Sequence, residues 1–434
     1  MRITRPLIEA YLNCKYKAYL LANCKTGTPH DLEAVLAELH TAYREQAVAI
    51  LIRRCRKAPC PTPSAFTNID IRSGQEIILG PTLEDGQTAF AFDALRRTDG
   101  ESSLGSSHYS PVLFWQGETL GRNQTLLMAA GGIILSRHQR LQPNTAAIIF
   151  GSECRARTLQ LAKHYKAAQQ VLDGLGGNET PRLILNDHCP LCHFRAKCRE
   201  QAIKSDDLSL LGHMTEKKIA HYAQTGTLTV TQLSYTYHAR RHKIVHPKQN
   251  PRSLPLHALA IRQKRILVIG KPTFPKTAVR VYFDAEGDFD RKFTYLLGLL
   301  IVRDGQEQMV SLWADDPPQQ KRLFEQCLAV LKRQGDHTLF HYGQYEAALL
   351  RQMRGLVRKE GRGRRNLRIG QCPCTPPFRS LLPHLLQQPQ GHWQIPGLLM
   401  DGRDCVWPAK PRMFGGRVGL GRTARRRQQW QHEC

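Results

Sequence analysis

No run of 18 apolar residues occurs anywhere in the 434-residue sequence, so a membrane-spanning helix is excluded by length. The N-terminal stretch MRITRPLIEAYLNCKYKAYLL alternates charged and apolar residues, as an amphipathic helix does. It has neither a continuous apolar centre nor a small-residue cleavage site, so no signal peptide is expected. The chain therefore reads as cytoplasmic. Its 13 cysteines are expected to stay reduced and to serve metals or cores rather than disulfides. Internal repeats are absent. Acid is scarce as well: 36 Asp and Glu stand against 62 Lys and Arg, a formal net charge of +26.

Such a balance favours a polyanionic partner, because each cation docked on a phosphate releases condensed counterions. Nucleic acid is the expected partner, DNA ahead of RNA, and no membrane. Residues 361–434 hold 13 of the 62 basic and 3 of the 36 acidic residues, a net of +10, which leaves +16 on residues 1–360. The basic character thus belongs to the body of the chain as well as to its end.

The length suffices for two or three domains. Residues 1–60 read as helices, with apolar residues at helical spacing from Leu32 to Arg54. From Asn68 to Phe114 the pattern shortens to strands (IDIRSG, QEIILG, TAFAFDALRR, YSPVLFW) between Gly, Asp and Ser turns. Helix resumes at NQTLLMAAGGIILSRHQRL, a strand follows at AAIIFG, and a helix is expected from Arg155 to about Gly174. Residues 206–242 form a small helical unit, and 243–278, with five prolines, read as a linker containing one strand, RILVIG. A second α/β unit occupies 279–357. Its strands are RVYFDAEG, FTYLLGLLIV, QMVSLWA and HTLFHYG, with helices near Gln319–Lys332 and Tyr345–Met353.

Cys189, Cys192 and Cys198 lie in HCPLCHFRAKC, three thiolates on one short segment, as binding of a soft metal requires. A fourth ligand is needed, and Cys14 on the first helix is the candidate. Four thiolates suit a 4Fe–4S cluster or a zinc ion, and both stay open at this point.

The best catalytic candidate is the strand Val281–Asp288. Side chains alternate along a strand, so Val281, Phe283 and Ala285 point to a core while Asp284 and Glu286 share the opposite face. Two carboxylates so placed can hold Mg²⁺ or Mn²⁺ for phosphodiester hydrolysis.

As a set, three features resemble the RecB-like nuclease family that carries a C-terminal RNase H-like domain of YprB type, across residues 1–357. They are DAEGDFDRKFTYLLGLLIV, the later FHYGQYE, and the CPLC-x-FR-x2-C cluster with DDLSLL after it. The fold implied is α/β. It comprises a RecB-like (PD-(D/E)XK-type) nuclease fold with an Fe–S staple over 1–200, the helical unit, and an RNase H-like mixed-sheet domain. The resemblance implies that Glu346 joins Asp284 and Glu286 as a metal ligand. It also implies that Cys14, Cys189, Cys192 and Cys198 hold a cluster tying the two ends of the first domain together. His40 and Asp93 match the first two positions of the RecB-type site, yet the next strand, Tyr109–Trp115, carries no Glu-x-Lys. That site is therefore expected to be degenerate. The helical unit resembles a helix-hairpin-helix module, with Gly226 and Thr227 at the turn and Arg240, Arg241 and Lys243 adding charge for nucleic-acid contact.

The expected function is metal-dependent hydrolysis of nucleic acid by the RNase H-like domain, of 3′–5′ exonuclease class. The alternative is a non-catalytic nucleic-acid-binding protein. Residues 361–434 break the pattern, with twelve Arg to one Lys, no Tyr, eight Pro and three of the five Trp. They read as an out-of-frame or disordered tail. With degenerate bases chosen freely and the phase advanced by one base, Gly370–Cys374 can become VNVLA. In the same phase Leu382–Gly397 can become YPTYSNSLKDTGRYLG, strings that resemble what the family carries after its second acidic motif. Gly391 then stands where the third metal-site Asp would fall, so the activity of this chain is expected to be impaired.

Overall fold

The computed structural model describes residues 2–29, 31–54, 71–177, 179–237, 253–265, 277–288, 290–341 and 344–359. It is a mixed α/β chain in three successive units. Among the described residues no helix is long and apolar enough to cross a membrane.

The first unit opens with β1 (Ile3–Thr4), α1 (Arg5–Asn13), α2 (Lys15–Ala22) and α3 (Asp31–Arg53). The strands β2 (Ile77–Leu79), β3 (Thr82–Glu84), β4 (Thr88–Ala91), β5 (Ala94–Ser102) and β6 (Gly105–Trp115) follow. After α4 (Arg122–Gln139) come β7 (Thr145–Phe150), β8 (Arg155–Gln160) and α5 (Tyr165–Gly176). Five strands form one sheet in the order β2-β5-β6-β7-β8, in which only β6 and β7 run parallel, joined through α4. The pleat divides the side chains of β6: Leu113 enters the core under α1, α4 and α5, while Val112 and Phe114 face α3. Tyr43, Ala47 and Leu51 recur every four residues along α3 and close that second layer. Above the point where β7 begins to pair, the Gln139 side chain serves β6 in place of a strand. It accepts from the Tyr109 N–H at 2.8 Å and donates to the Tyr109 carbonyl at 3.1 Å.

The second unit packs α7 (Glu216–Gln224), α8 (Val230–Tyr235) and α9 (Leu254–Gln263) with a 3-10 turn at Leu208–Leu211, following α6 (Arg195–Lys204). The third contains β9 (Val279–Asp288), β10 (Phe293–Arg303), β11 (Gln306–Trp313), α10 (Gln320–Arg333), β12 (Thr338–His341) and α11 (Gln344–Lys359). Its sheet order is β11-β10-β9-β12. The first three strands form an antiparallel meander, and β12 lies parallel to β9 after the α10 crossover. Leu323, Phe324, Cys327 and Leu331 of α10 and Leu349, Leu350 and Met353 of α11 cover Val281, Phe283 and Ala285.

Several expectations change. Arg155–Gln160 is an edge strand antiparallel to β7, not the start of a helix: each residue from Arg155 to Gln160 pairs with one from Phe150 back to Thr145, and only Leu159 is buried. Ile71–Ser73 is a 3-10 turn rather than a strand, ended by Gly74 at φ +67°. The stretch read as a linker contains α9, whose Leu256, Ala258, Ala260 and Ile261 are buried. Cys14 sits between α1 and α2 rather than within the first helix. Its backbone is extended there, and its Sγ accepts the Lys17 N–H, capping α2. The expected strand residues Ile266–Gly270, the basic Arg240, Arg241 and Lys243, and the tail 361–434 lie outside the described residues.

The β3–β4 turn rests on one carboxylate. Asp85 accepts from the backbone N–H groups of Gln87 (2.9 Å) and Thr88 (2.7 Å), and Arg137 meets it at 2.8 Å. Burial alone would raise its pKa, but these donors outweigh burial and hold it well below the usual range. A depressed folded-state pKa gives stability that is present above the unfolded value of 3.8 and is lost as pH falls below it. Asp85→Ala is expected to cost about 1–2 kcal/mol at pH 7. In urea denaturation the gap from the parent should narrow at pH 3, and a gap unchanged at pH 3 would contradict this.

Candidate active site and thiol pocket

The alternation of β9 is seen directly: Val281, Phe283 and Ala285 are buried, while Asp284 and Glu286 are half-buried on the other face. Parallel pairing sets His341, the last residue of β12, beside Phe283, so β12 ends toward the acid-bearing end of β9. There α11 begins, with Glu346 in its first turn. Glu346 is 8% exposed, and its Oε2 has no hydrogen-bond partner. Tyr345 fixes the approach: its hydroxyl meets Thr294 Oγ1 at 3.0 Å, and the Thr294 N–H donates to Gln320 Oε1 at 2.6 Å. A Cβ at residue 287 would run into the Tyr345 hydroxyl and the Phe293 carbonyl, so glycine is required at that position. Tyr342 and Gly343, within the second motif, lie outside the described residues.

A buried carboxylate with an unsatisfied oxygen is costly unless a cation or proton meets it. Beside a strand bearing two further acids, the donor set is that of a hard divalent ion. Asp284 and Glu286 are each engaged with neighbouring groups, however. Among the described residues no three His, Cys, Asp or Glu side chains gather around a single ion position.

In the first unit the structure does not assemble a comparable set. His40 lies on an exposed stretch of α3, and the residue that reaches Asp93 is Arg44, one turn later. Asp93 is buried and its oxygens are taken. Arg5 binds it at 3.0 and 3.2 Å, Arg44 stands at 3.5 Å, and the Phe114 N–H donates at 2.9 Å. Burial works against the Arg5 charge, but Asp93 and then Glu9 outweigh it and raise the Arg5 pKa. Two guanidinium groups thus occupy the carboxylate that a metal would need. Neither Arg5 nor Arg44 stands out in the sequence, since an isolated arginine gives no sign of its partner.

Cys14, Cys189, Cys192 and Cys198 line one pocket, together with Lys17, His188 and Arg195. Cys14 Sγ accepts the Lys17 N–H at 3.4 Å, Cys189 Sγ accepts the Asn186 N–H at 3.2 Å, and Lys17 Nζ meets His188 Nε2 at 3.1 Å. Burial, then the neighbouring thiols, pushes Cys198 up to about 12 and raises Cys189. The two ends of the unit are also joined by direct bonds, Asn186 Nδ2 to the Asn13 carbonyl (3.0 Å) and the Thr28 N–H to the His193 carbonyl (3.0 Å).

The turn in the helical unit behaves differently from the expectation. Gly226 has φ +75°, but its N–H and that of Thr227 bond the carbonyls of Ala223 and Tyr222, finishing α7. At the start of α8 the Thr231 N–H donates to Asp206 Oδ2 at 2.8 Å, so an acid of the chain itself stands where a phosphate would bind. The backbone N–H groups of Gly226 and Thr227 are therefore engaged within the helical unit itself.

The RNase_H_2 family model, described as RNase_H superfamily, matches residues 281–362. No curated protein matches the chain. The third unit is an RNase H-like domain.

Removing the Asp93 carboxylate strands a buried guanidinium. Asp93→Ala is expected to lower the unfolding free energy by about 3–5 kcal/mol. Arg44→Ala, which removes a partly exposed partner, should cost about 1 kcal/mol or less. Equal losses in denaturant titrations would contradict the ranking.

Proposed function

We propose that the RNase H-like domain hydrolyses phosphodiester bonds of nucleic acid with Mg²⁺ or Mn²⁺, held by Asp284, Glu286 and Glu346. The observation that carries this reading is the buried Glu346 with its unpartnered oxygen at the acid-bearing end of β9. Held by these carboxylates, a divalent ion would supply an activated water and offset charge on the phosphoryl oxygens. The chain's own residues supply the frame. The pleat fixes Asp284 and Glu286 on one face, β12 delivers the start of α11 to the same end, and Tyr345 locks that start against Gly287. The resemblance of DAEGDFDRKFTYLLGLLIV to the RNase H-like domains of the RecB-like nuclease family supports the same assignment.

Residues 1–200 are read as a RecB-like (PD-(D/E)XK-type) fold without turnover. The order of helix, short mixed strands, helix and Cys-rich close supports the fold. The arginine pair on Asp93 supports the loss of chemistry. The basic excess outside the tail then favours nucleic-acid binding by residues 1–357, DNA ahead of RNA. A wholly non-catalytic, nucleic-acid-binding protein is the second reading. It is favoured by the lack, among the described residues, of side chains already gathered around one ion.

The composition break beside residue 361, where the family match also ends, supports a frame change in the gene. The chain as it stands is expected to degrade single-stranded DNA or RNA weakly or not at all. Sequencing should find a single-base insertion or deletion at codons 355–361 with the next phase open. Protein made from the corrected frame should degrade the strand in Mn²⁺, and Asp284→Ala should cut the rate at least about a hundredfold. A next phase closed by stops would refute the frame change. A corrected chain indifferent to Asp284→Ala would refute the site.

The four thiols are read as ligands of a 4Fe–4S cluster, as the resemblance implies, with zinc the alternative: all four line one pocket, as a shared metal group requires. Lys17 and Arg195 offset the charge of a thiolate-bound cluster. Anaerobically purified protein should be brown and contain iron and acid-labile sulfide, both lost in Cys14→Ser. Stoichiometric zinc without sulfide would overturn the cluster in favour of a zinc site.

A further inference from the structure

The loop after β6 and the turn between β9 and β10 meet across the first and third units. Asp290 Oδ2 accepts the Glu118 N–H at 2.7 Å, and Thr119 Oγ1 reaches Asp290 Oδ1 at 3.4 Å. The loop is itself braced. Trp115 Nε1 donates to the Thr119 carbonyl at 2.9 Å, and the Glu118 carboxylate takes the Ser152 N–H (2.6 Å) and Arg155 (2.8 Å). Hydrogen bonds from Ser152, then the charges of Arg155 and Arg291, hold the Glu118 carboxyl below its usual range. Gly117 is needed for the approach, because a Cβ there would press on the Trp115 indole and lie 3.2 Å from Asp290 Oδ2. On the other side, Asp288 Oδ1 accepts from the N–H groups of Asp290 (3.0 Å) and Arg291 (3.1 Å), which fixes the turn that presents Asp290.

This junction lies close to the acid strand. Asp290 lies four positions beyond Glu286, a reach of at most about 14 Å. The β9–β10 ladder is irregular at this point: Thr294 pairs with Gly287 and Leu296 with Glu286, leaving Tyr295 as an extra residue. Sheet pairing alone thus holds the Glu286 end loosely, while metal ligation tolerates displacements of only about 0.5 Å.

We propose that Asp290 is a positioning residue that pins the β9–β10 turn to the loop Trp115–Gly121. Through it the catalytically silent first unit serves as the scaffold of the carboxylate site. The metal arm of this inference rests on the proposed function, and the anchor itself does not. Asp290→Ala and Asp290→Asn in the full chain test it, with Glu118→Ala loosening the loop from its other side. Hydrogen exchange is read over residues 115–121 and 286–296, and Mn²⁺ affinity by electron paramagnetic resonance. In Asp290→Ala, exchange should rise about tenfold in both segments, the effect of losing one bond to a charged acceptor. Mn²⁺ affinity should fall several-fold with the melting temperature little changed. Asp290→Asn, which keeps an acceptor oxygen, should fall between, and Glu118→Ala should also raise exchange at 286–296. A rise confined to 115–121, or Mn²⁺ affinity equal to the parent's, overturns the inference. If the parent binds no Mn²⁺, as the missing acid at Gly391 would also cause, exchange at 286–296 alone decides the anchor.

Discussion

The pleat of β9 sends neighbouring side chains to opposite faces, and the third unit is built on that constraint. Val281, Phe283 and Ala285 must enter the core under α10 and α11, which leaves Asp284 and Glu286 no choice of side. Pairing with β10 and β12 then holds the strand from both edges. Because β12 is parallel to β9, the start of α11 arrives at the same end as the two acids. Glu346 is brought there by topology alone, more than fifty residues along the chain.

What the sequence reveals follows the range of the forces involved. Period-2 and period-3.6 patterns are local, so β9, β10, α3 and α10 are legible from their own residues. The thiol set is also legible, since three of its members sit within ten residues, and all four prove to share a pocket. Long-range choices are not. Nothing in RARTLQ announces pairing with β7, and nothing in RPLIEA says that Arg5 will find Asp93, 88 residues away. The turn at Gly226 and Thr227 shows a related limit. Their N–H groups are free in a sequence reading but are taken by carbonyls of α7 once the helix ends there.

The first and third units treat buried acid in opposite ways. Asp93 is neutralised within the fold by Arg5 and Arg44, a structural solution that needs nothing from solution. Glu346 is buried with an oxygen left open, a solution complete only when a cation or proton arrives. The contrast separates the two units: the acid of the first is satisfied within the fold, and the third carries the candidate chemistry. The thiol pocket and the direct bonds around it join the two ends of the first unit.

The location of a bound ion tests this division most directly. Crystals soaked in MnCl₂ and measured at an energy where manganese scatters anomalously should show a peak between Asp284 and Glu346, and none beside Asp93. A peak at Asp93 with none at Glu346 would contradict the account, placing the metal site in the first unit.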